Sequence, residues 1–326
     1  MRDLETAIEP GLRIVDAHHH FIAAMDYMPA DYRRDLSAGH DVAATVFVEA
    51  GQLHDPAVPE AFRPVAETVF AASVAAEAER DPAGPRLCAA IVPHVDLRGG
   101  AAVDAVIEAH LAAGGGRVRG IRQSAFWDEG GEVYAFTIAR PPRGLLLAPE
   151  FRAGFARLAP YGLRYDAVVF HHQLDELTDL AAAFPDTPVV LNHMGFPLGI
   201  GRFAGRRREV FDDWRAGLGR LARLPNVSVK VGGLGMPFWG FGFHERAEPA
   251  SSDELAAAWR PYVEAAIDLF GPQRAMMEAN FPPDRRSCGY VTCWNALKKA
   301  TAAYGGEERR ALFAGTAAGF YGIDIP

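Results

Sequence analysis

Apolar and polar positions alternate along the chain in blocks that predict strands and helices in turn. Eight apolar, often β-branched segments have the pattern of strands that are covered on both faces. They lie at residues 12–18, 43–49, 86–95, 118–123, 163–170, 188–193, 227–231 and 274–280. Longer blocks rich in alanine, leucine and charged residues separate most of these segments and predict helices, for example at residues 59–80, 101–113 and 251–270.

This alternation predicts an α/β fold, and eight strand–helix units favour a single (β/α)8 TIM barrel that forms one domain over residues 1–326. An open doubly wound sheet is the alternative, but no Gly-x-Gly-x-x-Gly motif follows the first strand. In a barrel of this kind the chemistry gathers where the strands end. The residues that follow each apolar segment are therefore the candidates for function.

Composition and charge narrow the class of protein. The 326 residues carry a net charge of −8, which argues against a nucleic-acid-binding surface. No apolar run approaches the ~20 residues that are needed to cross a bilayer. Cys88, Cys288 and Cys293 are widely spaced, as is typical of free thiols in a reducing compartment, and no secretory leader is visible. We therefore expect a cytoplasmic protein that binds neither nucleic acid nor membrane.

Three consecutive histidines end the first apolar segment. Because side chains alternate along a strand, we predict Asp16, His18 and His20 on one face and Ala17 and His19 on the other. Two imidazoles two residues apart can converge on one ion or one carbonyl oxygen, and neutral imidazole is the commonest metal ligand in proteins. A histidine-rich surface turn is the alternative, so this hypothesis needs partners from other strands.

Most of the other strands also end in ionisable or amide side chains, which would be unusual in a purely structural core. Together with the two histidines, the candidate site residues are Glu49, Arg119, Arg122, His171, His193, Lys230, Glu278, Asn280 and Asp284. Only one of the two arginines can point inward along strand 4. Because Arg119, Arg122 and Lys230 are cationic, the sequence predicts a small anionic substrate whose carboxylate is held by an arginine.

Two long connections are rich in aromatic residues. Residues 124–149 include Phe126, Trp127 and Tyr134 and exceed the length of an ordinary connection, so we interpret them as a substrate loop. Residues 233–244 alternate glycine with aromatic residues. We interpret this second segment as a mobile apolar wall for a ring-bearing substrate, with plain packing on the barrel rim as the alternative.

Four segments share their pattern with a known family. They are Asp-Ala-His-His-His-Phe at residues 16–21, Val-Arg-Gly-Ile-Arg at 118–122, Asn-His-Met-Gly-Phe-Pro at 192–197 and Arg-Ala-Met-Met-Glu-Ala-Asn-Phe-Pro at 274–282. The chain thereby resembles the amidohydrolase-2 branch of the amidohydrolase superfamily, most closely its lactonase-like group, which includes sugar-lactone hydrolases and pyrone-dicarboxylate lactonase. The resemblance implies that His18, His20 and His193 surround the scissile carbonyl, with or without a divalent metal ion. If a metal is bound, these three histidines are its expected ligands, and zinc is the favoured ion because three histidines can hold it.

The chain departs from this family pattern on the eighth strand. Where many relatives carry an aspartate that activates water, this chain has Asn280. An amide has no basic lone pair near neutral pH, so Glu278, deeper on the same face, or Asp284, in the loop above, is expected to be the base. The change also removes an anionic metal ligand, which leaves a metal-free site as the alternative.

Three functions are consistent with these residues. The first is hydrolysis of a small lactone or related cyclic ester that bears a carboxylate. The second is non-oxidative decarboxylation of an aromatic or unsaturated acid, since the same branch contains such enzymes. The third is a barrel that binds a small acid without catalysis, for which Asn280 is the main support. A homodimer is one of the oligomeric states that the sequence leaves open.

Overall fold

A computed structural model describes residues 5–325 of the chain. Eight parallel strands form its centre, in two ladders within which hydrogen-bonded neighbours are consecutive in sequence. The strands are β1 (Ile14–His19), β2 (Val42–Val48), β3 (Arg86–Val92), β4 (Gly120–Ser124), β5 (Arg164–Val168), β6 (Val189–Leu191), β7 (Val227–Val231) and β8 (Ala275–Met277).

The strands close into a barrel through two seams. One ladder of hydrogen bonds runs from β1 through β2 to β3, and a second runs from β4 in chain order to β8. Between β3 and β4, the Ile91 amide donates to the Arg117 carbonyl at 2.8 Å. Between β8 and β1, the Asn280 amide donates to the His18 carbonyl at 3.0 Å, and the His20 amide donates to a carbonyl just beyond β8. The predicted TIM barrel is confirmed.

Helices cover the outside of the barrel. They are α1 (Pro29–Leu36), α2 (Val65–Ala78), α3 (Val103–Ala113), α4 (Pro149–Phe155), α5 (Leu174–Ala183), α6 (Arg207–Leu221), α7 (Ser252–Phe270), α8 (Tyr290–Ala300), α9 (Gly306–Arg310) and α10 (Thr316–Tyr321). The longest, α7, begins at a capping box in which Ser251 and Glu254 satisfy each other's backbone amides, as its hydroxyl-then-acid sequence predicts. No helix among residues 5–325 is long and apolar enough to cross a membrane.

The barrel interior is apolar at the end where the strands begin. A buried cluster there combines β-strand residues such as Val15, Val46 and Met276 with Ala317 and Tyr321 of α10. Small alanine side chains let α10 approach closely enough to close this end, which we call the floor. The opposite end, where the strands finish, is the mouth.

Two predicted features differ in the structure. Strands β6 and β8 are shorter than predicted, because the backbone turns left-handed at His193 (φ 54°) and Asn280 (φ 52°). Helix α1 forms in the connection between β1 and β2. Its Tyr32 is buried, and the Tyr32 hydroxyl donates to Asp16 at 2.8 Å, so this segment packs against the barrel wall.

Candidate active site

The histidines of β1 reach the mouth through an irregularity in that strand. The register of β1 against β2 shifts between Asp16 and His19. Ala17 packs in the barrel interior, whereas Asp16 lies outside the barrel, where it accepts hydrogen bonds from Tyr32 and Tyr290. The prediction that Asp16 shares a face with His18 and His20 is therefore wrong, because a regular two-residue period does not survive a bulge.

His18 and His20 face each other inside the mouth. Their Nε2 atoms lie 3.1 Å apart, and the Nδ1 of His20 lies 2.8 Å from the Val48 carbonyl oxygen. That carbonyl can only accept, so Nδ1 of His20 carries the proton and its Nε2 is the acceptor. Lys230 Nζ lies 3.2 Å from Nδ1 of His18 and can only donate, which places the His18 proton on Nε2. The hydrogen bonds therefore run from Lys230 through both imidazoles to Val48.

Glu278 joins the third histidine to this pair. Its Oε1 lies 2.7 Å from His193 Nδ1 and also accepts from the His193 amide at 3.1 Å. Its Oε2 lies 3.2 Å from His18 Nδ1 without forming a hydrogen bond, because that nitrogen already accepts from Lys230. The carboxylate is fully buried. The structure thus brings His18, His20, His193 and Glu278 together, as the sequence predicted.

The backbone around His193 is held in an uncommon conformation. His193, Met194, Gly195 and Phe196 all have positive φ, between 39° and 72°. A side chain on Gly233 would place its Cβ 2.5 Å from His193 Nδ1, so only glycine fits against this imidazole. Strained backbone at a functional position persists only when the surrounding structure determines it, and here Gly233 and Glu278 do so.

Lys230 is fully buried and anchors the deep side of the site. Its Nζ lies 2.6 Å from Asp166 Oδ2, and the Tyr321 hydroxyl donates to the same carboxylate at 2.8 Å. A buried ammonium needs such a partner, because an isolated charge in the barrel interior would be strongly destabilising. Asp166 was missed in the sequence because it lies within β5 rather than at its end. A charged residue within an otherwise apolar strand, at a position that faces the barrel interior, was the feature that could have identified it.

Arg122 and Glu49 form a pair on the more accessible side of the mouth. Arg122 Nε donates to Glu49 Oε1 at 2.7 Å, Arg122 Nη2 donates to the Glu49 carbonyl, and Arg122 Nη1 lies 3.4 Å from His18 Nε2. Burial raises the pKa of Glu49, but the charge and hydrogen bond of Arg122, together with His94 and His20, outweigh burial, so the net shift is downward. His171 accepts from the Leu198 amide at 3.3 Å, and the structure gives it no contact with His18 or His193.

Three other predicted residues lie apart from the histidines. Arg119 precedes β4, and its guanidinium donates to carbonyls of the preceding turn, at the floor end of the barrel. Asn280 donates through Nδ2 to Asp284 Oδ1 at 2.7 Å, and the Gly235 amide donates to Asp284 Oδ2 at 2.7 Å. The structure therefore selects Arg122 over Arg119, and it commits both oxygens of Asp284 to structural hydrogen bonds.

Burial sets the protonation states of the site. It lowers the pKa of His18, His20 and His193 well below the ordinary value, so all three imidazoles are neutral at pH 7. The charge of Arg122 adds to the effect at all three, and that of Lys230 at His18 and His193. Burial also raises the pKa of Glu278 to about 8, although Lys230 opposes this. The site is therefore built from neutral imidazoles and one carboxylate that is poised near neutral pH.

The site also has donors that suit a metal ion. His18, His193 and Glu278 each offer a ligand atom, and these atoms lie within 4.8 Å of one another. His18 Nδ1 and Glu278 Oε2 lie 3.2 Å apart, close to the roughly 3.3 Å between two ligands on a tetrahedral zinc ion, and Nδ1 would have to give up its hydrogen bond from Lys230 to bind one. A buried carboxylate oxygen without a donor fits a cation, so these residues could hold zinc. His20, predicted as a ligand, is not part of this group.

The aromatic connections are packed rather than open. Residues 232–239 are buried, and Phe238 packs edge-on against Phe170, Phe196 and Phe136. The glycines of this segment allow close packing, as at Gly233, which favours the rim-packing alternative, and the mobile apolar wall stays a prediction. In residues 124–149, Phe126 is also buried, while Arg143 stacks on Trp127 at the surface.

Comparison with known proteins agrees with this architecture. The amidohydrolase family model matches residues 15–323. The chain is 28% identical to an L-fucono-1,5-lactonase from Burkholderia multivorans over 97% of this chain and 98% of that protein. It is 39% identical to the protein y4mH of Sinorhizobium fredii over 63% of this chain, and spans 61% of that relative's length. A zinc-containing amidohydrolase structure from B. multivorans aligns with a TM-score of 0.70 at 24% identity, covering 95% and 99% of the two chains. The chain belongs to the amidohydrolase family.

Proposed function

We propose that this hydrolase opens a small lactone by attack of water on the ring carbonyl. The observation that carries the proposal is the His193–Glu278 pair, in which a neutral imidazole is held through Nδ1 by a buried carboxylate. Such a pair leaves Nε2 of the imidazole as a free base beside the other two histidines. The full-length relative named L-fucono-1,5-lactonase supports a lactone as the substrate class.

The roles of the chain's own groups follow from their hydrogen bonds. His193 Nε2 takes the proton of the attacking water, and Glu278 orients the ring and stabilises the imidazolium that forms. Glu278, predicted as the base itself, thus acts through His193. The His18 Nε2 proton is donated to His20 in the structure, and the carbonyl oxygen would replace His20 as its acceptor, while Lys230 keeps that tautomer by donating to Nδ1. A zinc ion held by His18, His193 and Glu278 would supply a bound water of lowered pKa.

A screen of neutral and carboxylate-bearing lactones in a pH-stat tests the proposal. Opening a lactone at neutral pH releases one proton per turnover, because the product is a carboxylic acid that ionises. We expect steady acid release with at least one lactone. Evolution of carbon dioxide from an aromatic or unsaturated acid would favour the decarboxylase instead. Binding of small acids without any turnover would favour the non-catalytic barrel.

Metal analysis belongs in the same experiment. The zinc content of the purified protein is measured before and after treatment with a chelator, and the lactone assay is repeated on both samples. Equal activity with and without metal would assign the chemistry to the imidazoles and Glu278 alone. Activity that disappears with zinc and returns with it would assign the water to the metal. The cytoplasmic location and the homodimer stay predictions.

A further inference from the structure

Arg122 is engaged by the protein itself. Its Nε donates to Glu49 Oε1 at 2.7 Å, and its Nη2 donates to the main-chain carbonyl of the same residue. Both side chains are about one-tenth exposed, so solvent screens the pair little. The Gly51 amide donates to the second Glu49 oxygen at 3.1 Å, which fixes the carboxylate in place. The side-on fork of the guanidinium, the edge best suited to a carboxylate, is thus occupied.

Two other buried or partly buried cations near the mouth are also matched by carboxylates. Lys230 is paired with Asp166 at 2.6 Å, and Arg202 is paired with Asp128 at 2.8 Å. A substrate carboxylate entering this mouth would add a negative charge to groups that are already neutralised. It would also lose its hydration, so the local electrostatics give it little net attraction.

The third nitrogen of the Arg122 guanidinium, Nη1, makes no bond to Glu49 and lies next to His18. Nη1 lies 3.4 Å from His18 Nε2, the nitrogen that carries the proton and faces His20. A carbonyl oxygen that replaces His20 as the acceptor of this proton would also lie within reach of Nη1. A preorganised donor gains most where negative charge develops during the reaction, because the interaction is stronger in the transition state than in the ground state.

We propose that Arg122 donates through Nη1 to the lactone carbonyl oxygen as it becomes an oxyanion, and that it does not bind a substrate carboxylate. This inference rests on the proposed lactone hydrolysis. The water oxygen bonds to the carbonyl carbon, its proton goes to His193 Nε2, and the carbonyl π electrons move to the oxygen beside Arg122. The intermediate then collapses, the ring C–O bond breaks, and the proton passes from His193 to the departing ring oxygen. A carboxylate on the lactone is therefore not required for recognition at Arg122.

Kinetics of Arg122→Met and of the double variant Arg122→Met/Glu49→Gln test the role. The double variant removes both charges, so it guards against misfolding caused by an unpaired Glu49. We expect both to lose about 100-fold in kcat with KM changed less than about threefold, equally for a neutral lactone and for a carboxylated one. Arg119→Met, on the same strand but at the floor, is the matched control. A rise in KM confined to the carboxylated lactone would overturn the inference.

Anion binding gives a second readout that does not depend on turnover. Titration calorimetry with glutarate, a simple dicarboxylate, should show equally weak binding to wild type and to Arg122→Met. Glu49→Gln frees the guanidinium and should bind glutarate about tenfold more tightly than wild type, since a charge-assisted pair is stabilised by roughly 1.5 kcal/mol or more. Tight wild-type binding that is lost in Arg122→Met, or no gain in Glu49→Gln, would contradict the inference. If no lactone is hydrolysed, the proposed function fails, and these titrations still decide whether Arg122 holds an anion.

Discussion

The mouth and the floor of this barrel are built from the same strands but follow different rules. On β1 and β8 the inward-facing residues at the floor are Ala17 and Met276. The next inward-facing residues towards the mouth are His18 on β1 and Glu278 at the end of β8. The floor is closed by close packing of small and aliphatic side chains. The mouth is held by hydrogen bonds between ionisable groups and by a left-handed backbone at His193. Apolar packing thus dominates one end, and hydrogen-bonded ionisable groups dominate the other.

One chain of contacts joins the two ends. Tyr321, on the helix that closes the floor, donates to Asp166, which pairs with Lys230, which in turn contacts His18. All four side chains are fully buried. The position of His18 therefore depends on an ion pair within the apolar interior, and the comparison predicts that changes to this pair affect both ends.

The largest expected effect is on Lys230. Lys230→Met leaves Asp166 buried without its cation, which we expect to lower the free energy of unfolding by about 3–5 kcal/mol, as when one partner of a buried pair is removed. Urea denaturation measures this loss. The double variant Lys230→Met/Asp166→Leu removes both charges and should recover most of it. A single variant as stable as wild type would show that the two ends are not linked in this way.

Next in size is the effect of Glu278 on catalysis. Glu278→Gln keeps the shape but removes the charge that stabilises protonated His193. We expect kcat to fall by about 100-fold, equivalent to about 2.7 kcal/mol of activation free energy, in the lactone assay. Asp284→Asn is the control, because both Asp284 oxygens serve structural hydrogen bonds, and it should lose less than about tenfold. Collapse in Asp284→Asn alone would move the role of base to Asp284.

The pH dependence of activity is a smaller effect. Burial raises the pKa of Glu278 to about 8, and the deprotonated form is the one that stabilises protonated His193. Activity should therefore rise with pH and level off above this pKa. The deprotonated fraction grows from about one-tenth at pH 7 to one-half at pH 8, so kcat/KM should increase about fivefold over this interval. A profile that is flat from pH 6 to 9 would argue against this role, and Glu278→Gln should lose the rise.

The smallest expected effect is at the floor. Arg119→Met removes a guanidinium that donates only to neighbouring carbonyls. We expect a change in the free energy of unfolding within about 0.5 kcal/mol and unchanged kcat and KM, as for surface substitutions away from special features. The measurement is a thermal melt together with lactone kinetics. A large loss of activity would mean that the division between mouth and floor is wrong for β4.

Much of this protein could be predicted from local sequence. Apolar runs separated by helical segments determine eight parallel strands covered on both faces, and the barrel follows from their number. His18, His20, His193 and Glu278 lie at the ends of those runs. Because strand ends converge at one mouth, their positions in the sequence predicted that they lie close together. These positions can be read from local sequence, because each residue follows an apolar run that forms its own strand.

What the sequence could not determine is which groups pair. Arg119 and Arg122 are equivalent in a short motif, and only strand phase and the position of Glu49 assign one of them to the mouth. The bulge that moves Asp16 outside and the left-handed turn at His193 depend on contacts made by residues far along the chain. Such pairings are long-range, because they are set by where closed strands bring side chains together, and only the tertiary structure decides them.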